Sequence, residues 1–228
     1  MRATIITSIT SIIALIAGLG CGTPSGEPKP SGEDNAKTTD GLVKVEIDMP
    51  GILFLREDHG IGSYDAFLIP PADIDYRRRS RKLAPELEEE FLAQLEQSLI
   101  DSASDHDIPI DQTPGQCVMQ IAIALVNVDL KRSSSAKTLG EMTLVMEFRD
   151  SISRQTLLRY ATQNQIASEG RQADRTRQLR DSFDVMLEEM DFGAAFRVAG
   201  LADDEIRPGC RGTLADRGRA AAASVSSR

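Results

Sequence analysis

From Leu42 onward, apolar residues recur with two different periods, and the changes of period mark out the elements. LVKVEI and ILFLRE predict two short strands separated by the turn signal Met49-Pro50-Gly51. In YDAFLIPPADIDY, Phe67, Leu68 and Ile69 suit a buried strand, while Pro70-Pro71 interrupts its ladder and implies an edge, a bulge or a bend. Leu87, Phe91, Leu95 and Leu99 then recur every four residues, widened by Leu92, which predicts an amphipathic helix. Pro85 suits its first turn, and Glu86, Glu88 and Glu89 complement the positive end of its dipole. After the loop DSASDHDIPIDQTPGQ comes QCVMQIAIALVNVDL. Met119, Ile121, Ile123 and Leu125 point one way there, and Val118, Ala122, Ala124 and Val126 the other, the pattern of a central strand covered on both faces.

EMTLVMEFR alternates cleanly, with Met142, Leu144, Met146 and Phe148 inward and Glu141, Thr143, Glu147 and Arg149 outward. DSISRQ turns the chain into TLLRYATQ, which predicts a hairpin. A second helix carries Leu179, Phe183, Met186 or Leu187, and Met190 on one stripe, with Gly193 and Gly200 placed to kink and end it. The fold class is α+β: one mixed, largely antiparallel sheet with two main packed helices, in the order strand–helix–strand–strand–strand–helix. If the strands flanking the first helix are parallel, their crossover should be right-handed.

The first forty residues obey different rules. After Arg2 no charge appears until Glu27, and an Ile/Leu-rich run broken by Thr and Ser ends in Ala17-Gly18-Leu19-Gly20-Cys21. The run is short of the ~20 apolar residues a membrane span wants and fits a secretory signal. Its end resembles the lipobox of bacterial lipoproteins, with Gly18 where leucine is commoner. The resemblance implies a diacylglyceryl group on the Cys21 thiol and cleavage just before it. Gly22, where inner-membrane lipoproteins often carry Asp, favours the outer membrane. Gly22 to Gly41 holds no apolar side chain larger than Ala36, so it reads as a tether. The expected organisation is a signal peptide at 1–20, a lipidated cysteine and tether at 21–41, a globular domain at 42–200 and a largely disordered tail at 201–228.

Charge and composition narrow the function. A net charge of −9 opposes nucleic acid as a partner, since phosphate binding needs a cationic face. Aromatic residues at 4% and the lack of Trp argue against stacking platforms. The sequence shows no GxSxG elbow, HExxH, P-loop or CxxC, so no enzyme activity, cofactor or metal is expected. His59 and His106 sit among acids in polar loops, which accounts for both without a catalytic or ligand role. Met119, Met142, Met146, Met186 and Met190 fall on core faces, where packing explains them better than soft-metal binding.

Two features stay open. Arg77, Arg78, Arg79, Arg81 and Lys82 form the one dense basic cluster. It reads either as a contact for lipid or lipopolysaccharide phosphates or as a solvated helix approach paired with the acids between Glu86 and Glu90. With Cys21 lipidated, Cys117 and Cys210 remain as an even pair in an oxidising compartment. Either they bond, or Cys117 is a free buried thiol packed as a small hydrophobe beside Met119.

From about Ser63 to Glu169, four stretches resemble a group of uncharacterised bacterial envelope lipoproteins, catalogued as domain of unknown function 3313. They are YDAFLIPPADIDY, ELEEEFLAQLEQSL, PGQCVMQIAIALVNVDL and the EFRDS hairpin. That group often has Thr-Gly after Asp150-Ser151, where this chain has Ile152-Ser153-Arg154. The resemblance implies an address in the envelope and this architecture, but no site. The expected role is a periplasm-facing, lipid-anchored module that binds or assists another envelope protein. The alternative is a small hydrolase or ligand carrier with a site built from scattered Asp, Glu and Ser.

Overall fold

The computed structural model describes residues 37–47, 50–130, 138–167, 174–189 and 206–217. Its strands are β1 (Val43–Val45), β2 (Ile52–Leu55), β3 (Ala66–Leu68), β4 (Asp73–Tyr76), β5 (Val118–Leu130), β6 (Thr138–Asp150) and β7 (Thr156–Ala167). The helices are α1 (Pro85–Asp105) and α2 (Arg175–Glu189). The seven strands form a single mixed sheet in the order β1-β2-β7-β6-β5-β3, with β4 also pairing β5. β3 and β4 run parallel to β5, and the other pairs are antiparallel. This is the α+β class and element order that the periodicity predicts.

The Pro70-Pro71 break has a clear purpose in the register. Leu68 pairs with Gln120 and Asp73 with Ala124, so β3 and β4 are two pieces of one edge with an extra residue between them. The outer side of β3 bridges a loop only at Phe67, whose N–H donates to the Pro109 carbonyl at 2.9 Å and whose carbonyl accepts the Asp111 N–H at 2.7 Å. The prolines lie past that bridge, where the two missing N–H donors are tolerated. The backbone N–H of Ala72, just past the prolines, finds its partner instead in Glu96 of α1, 2.7 Å away.

The core lies between the sheet and the two helices. Leu87, Phe91, Leu95 and Leu99 of α1 pack with Met119, Ile121, Ile123 and Leu125 of β5 and with the inward residues of β6. Leu179, Phe183 and Met186 of α2 join the same core, and Phe91 stacks on Phe183 with ring centroids 4.1 Å apart. Asn127 breaks the alternation of β5. Its φ is 54°, a left-handed conformation that Asn tolerates better than most residues, and the register slips between Val126 and Asp129. Beyond this bulge the even-numbered Val128 and Leu130 enter the core. Gly140 of β6 packs against the bulged stretch, where a Cβ would stand 2.4 Å from the Asp129 carbonyl oxygen.

Three boundaries and faces differ from the sequence reading. The compact unit begins at Asn35 rather than Leu42. The Thr38 hydroxyl accepts the Leu42 N–H at 2.8 Å, closing a turn that seats Leu42 at 0% exposure. The tail assigned as largely disordered is ordered at 206–217, where a helical turn at 213–217 buries Leu214 and Ala215. Two apolar residues in a polar stretch were too weak a signal to show this. Thr143 and Glu147 do point away from the helices, but both are buried. Met190, Gly193 and Gly200 lie outside the described residues.

Replacing Phe91 with Ala should cost about 3–5 kcal/mol of stability in urea denaturation, because a filled core cannot close over the lost ring. The double-mutant cycle with Phe183→Ala should give a coupling of ~1 kcal/mol, as expected for rings that pack on each other.

Candidate functional site

Two places on the fold gather charged chemistry: the end of the sheet where β5 begins, and the turn after β4 on the sheet edge. At the first, Cys117 precedes β5 and is bonded to Cys210, with Cα atoms 5.6 Å apart. The bond brings residues 206–217 against the strand end. Asp65, just before β3, accepts the Arg211 N–H at 2.9 Å, and the Thr213 N–H and hydroxyl at 3.0 and 3.1 Å, so it caps the helical turn at 213–217. Burial by itself would raise the Asp65 pKa, but these donors outweigh it and hold the carboxyl below its ordinary value. Asp65 and the two sulfurs lie within 4.8 Å of one another. They make a poor metal site, because the sulfurs are spent on each other and the carboxylate on N–H donors.

Asp150, at the end of β6, is the centre of the same cluster. One carboxylate oxygen accepts the N–H groups of Ile152 and Ser153 and the Ser153 hydroxyl, at 3.1, 2.7 and 3.0 Å. The other takes the Tyr64 hydroxyl at 2.8 Å and the Arg207 guanidinium at 3.1 Å. Arg207 also donates to the Tyr64 oxygen at 2.7 Å and lies over its ring, 4.6 Å from the centroid. Burial opposes the Asp150 charge, but the Ser153 N–H, Tyr64 and Arg207 win and bring its pKa to about 2. Burial and the bond to Asp150 push the Tyr64 phenol well above its usual range. At neutral pH the carboxylate is therefore ionised, the phenol protonated and the guanidinium charged. Such a set holds three chain segments together and is badly placed to move protons.

A buried ion chain crosses the sheet face turned away from the helices. Glu147, 4% exposed, bonds Arg149 through one oxygen and Arg159 through the other at 2.6 Å. Arg159 reaches on to Asp40 at 2.6 Å. Burial opposes the Arg159 charge, but Glu147 and Asp40 outweigh it and raise the pKa. The chain ties the start of the domain to the sheet.

The second place is the basic turn. The N–H of Arg77 donates to the Val128 carbonyl at 3.0 Å, and that of Ser80 to the Arg77 carbonyl at 2.9 Å. The Ser80 hydroxyl accepts the Leu130 N–H at 2.8 Å, and Arg81 bridges Leu130. Arg79 adopts φ 71°. The turn is thus fastened at both ends to β5. Arg77 pairs with Glu141 at 2.8 Å and lies 3.6 Å from Asp129, and Lys82 sits over the Tyr76 ring. The acids of α1 named as partners in the sequence turn elsewhere: Glu88 accepts the Tyr76 hydroxyl and Glu90 binds Arg180 of α2. Burial and the bond to Glu88 raise the Tyr76 pKa.

Of the remaining candidates, Cys21 and Met190 lie outside the described residues. Met119, Met142, Met146 and Met186 are buried in the core. The His59 Nδ1 accepts the Ile61 N–H at 3.1 Å inside a buried turn, and the His106 Nδ1 lies 2.8 Å from the Ser102 carbonyl at the end of α1. Tyr64, Asp150 and Arg207 carried no mark in the sequence, since a motif cannot span positions so far apart. The EFRDS turn that contains Asp150 was the nearest hint.

No family model and no curated protein matches the chain. Among solved structures it is similar to a PelC dodecamer from Paraburkholderia phytofirmans, with 8% identity over 65% of this chain and 94% of that one, at a TM-score of 0.33. A second crystal form of the PelC dodecamer gives 7% identity over 66% and 98% of the two chains, at a TM-score of 0.30. A neuraminyllactose-binding hemagglutinin homolog from Helicobacter pylori gives 11% identity over 71% and 90%, at a TM-score of 0.32. At such scores none of the three bears on what this chain does.

Two outcomes follow from the clasp. Asp150→Asn should destabilise the domain by about 1–2 kcal/mol at pH 7, allowing for partial solvent screening. The folded-state pKa is depressed, so the charge stabilises above the unfolded value near 4 and its contribution fades as pH falls towards 2. Urea midpoints of wild type and variant should therefore converge as pH drops from 4 to 2. Separately, alkylation of the folded, oxidised protein without reductant should leave Cys117 and Cys210 unmodified. Closing a 93-residue separation is worth about 4.7 kcal/mol in the chain-entropy model, so Cys117→Ser with Cys210→Ser should lower the melting temperature well beyond the effect of a surface change.

Proposed function

We propose that the chain is a lipid-anchored, periplasm-facing bacterial envelope protein, with the outer membrane as its favoured address. In this reading it acts as a binding or accessory module for another envelope component and not as an enzyme. The Cys117–Cys210 bond carries the reading. Such bonds persist in oxidising compartments, which agrees with a secretory leader ending at Cys21. A lipid on Cys21 and a polar tether would hold the domain near a membrane without immersing it; among the described residues no helix is long and apolar enough to cross one. Tyr64 and Asp150 are taken up by each other, Arg207 and the β6–β7 turn, which fits a structural clasp better than an acid–base pair.

Cells fed a labelled fatty acid should place the label on the wild-type protein and not on Cys21→Ser; a wild type without label overturns the anchor. Affinity purification from detergent-solubilised envelopes should recover a stoichiometric partner that survives moderate salt. Recovery of the protein alone would overturn the accessory role.

A further inference from the structure

The basic turn is the strongest unabsorbed feature of the fold. Arg78, Arg79 and Arg81 are exposed, and among the described residues no carboxylate is paired with them. Several nearby acids are committed, Glu141 to Arg77, Glu88 to Tyr76 and Glu90 to Arg180, while Asp129 also faces Arg77; Asp73 and Asp75 of β4 are exposed beside the turn. Glu86 and Glu89, at the start of α1, remain exposed to solvent. In a chain of net charge −9, three exposed guanidinium groups on one short turn are a local concentration of positive charge.

We propose that Arg78, Arg79 and Arg81, with Lys82 beside them, form a contact for the phosphate groups of an anionic lipid surface. Guanidinium groups suit this chemistry because their planar donor forks match phosphate oxygens in pairs. The turn is held in place before it binds, through Ser80 and Arg81 on Leu130 and Arg77 on Val128, so little backbone ordering remains to oppose contact. Between Tyr76 and Leu83 it presents no apolar side chain, which disfavours a protein partner, whose interfaces centre on a desolvated apolar patch. A lipid surface suits such a turn better, because headgroups can move laterally to meet the charges.

The inference rests on the lipid-anchor reading for how the protein reaches the membrane, and the tether permits it. Asp40 is held at Arg159, which aligns across the sheet with Glu147 and Ala122. The turn lies three strand spacings away and eight residues along β5, about 30 Å in all. The sixteen Cα–Cα steps from Cys21 to Lys37 can span at most about 55 Å.

The test uses residues 35–228, one compact unit with its own core, without the anchor. Sedimentation with vesicles of phosphatidylcholine alone is compared with vesicles holding a third phosphatidylglycerol, at low salt and at 0.5 M salt. The expected result is binding only to the anionic vesicles, lost at high salt. The triple change Arg78→Glu, Arg79→Glu and Arg81→Glu should weaken it about a hundredfold, at roughly fivefold per cation. The milder Arg→Gln set serves if the reversal unfolds the domain. Reversing three exposed cations elsewhere, Lys44, Arg177 and Arg217, should leave most of the binding. Free phosphate at millimolar concentration should not compete; competition would assign the site to the soluble ion and overturn the membrane contact. Equal binding to both vesicles, or an equal loss in the control reversal, would overturn it too. Neither result touches the anchor, which is read separately by fatty-acid labelling at Cys21.

Discussion

The whole fold depends on β5 having a hydrogen-bonding partner on each of its edges. β6 takes one edge along nearly its whole length, and the broken edge strand β3–β4 takes the other in parallel. Parallel pairing obliges the chain to return along the sheet, and α1 is that return. The stripe on α1 then has a defined surface to meet, the Met119–Leu125 face of β5. α2 closes the same layer through the Phe91–Phe183 stack. Hydrophobic burial supplies the drive, while the strand pairing decides where each apolar stripe goes.

The bulge at Asn127 lets β5 serve two ends at once. Before it, odd-numbered residues face the helices; after it, even-numbered ones do. The extra residue on β5 also turns its last positions toward the backbone of Ser80 and Arg81. One local irregularity therefore completes the core and fastens the basic turn. At the opposite end, the strand start is fixed by a covalent bond instead, and the Asp150 carboxylate gathers Tyr64, Arg207 and the β6–β7 turn around it. Both candidate surfaces are products of how β5 ends, while the buried Glu147–Arg159–Asp40 chain crosses the sheet between them.

The arrangement of charge separates structural from available groups. Glu147, Arg159, Asp40, Asp150 and Arg207 are charged groups consumed in holding segments together, and the pKa directions of the last four reflect those fixed partners. A carboxylate ringed by five donors has no capacity left for a ligand. Arg78, Arg79 and Arg81 are the converse: the backbone around them is fixed, while their side chains stay in solvent.

The sequence by itself determined what depends on neighbours along the chain. The four-residue spacing of Leu87, Phe91, Leu95 and Leu99, the double-faced run of β5, the alternation of β6 and the break at Pro70-Pro71 are each written within a few residues. Each therefore named its element and its buried side. Tertiary structure alone decided the rest. Whether Cys117 meets Cys210 depends on where two strand ends and a distant segment lie in space, and sulfur atoms 93 positions apart carry no local sign of it. The same reason hid the order at 206–217, since Leu214 becomes a core residue only when Asp65 and the disulfide bring it to the sheet. It also left the partners of the basic turn undecided, because Glu88 and Glu90 are near it in sequence but bond Tyr76 and Arg180 in the fold.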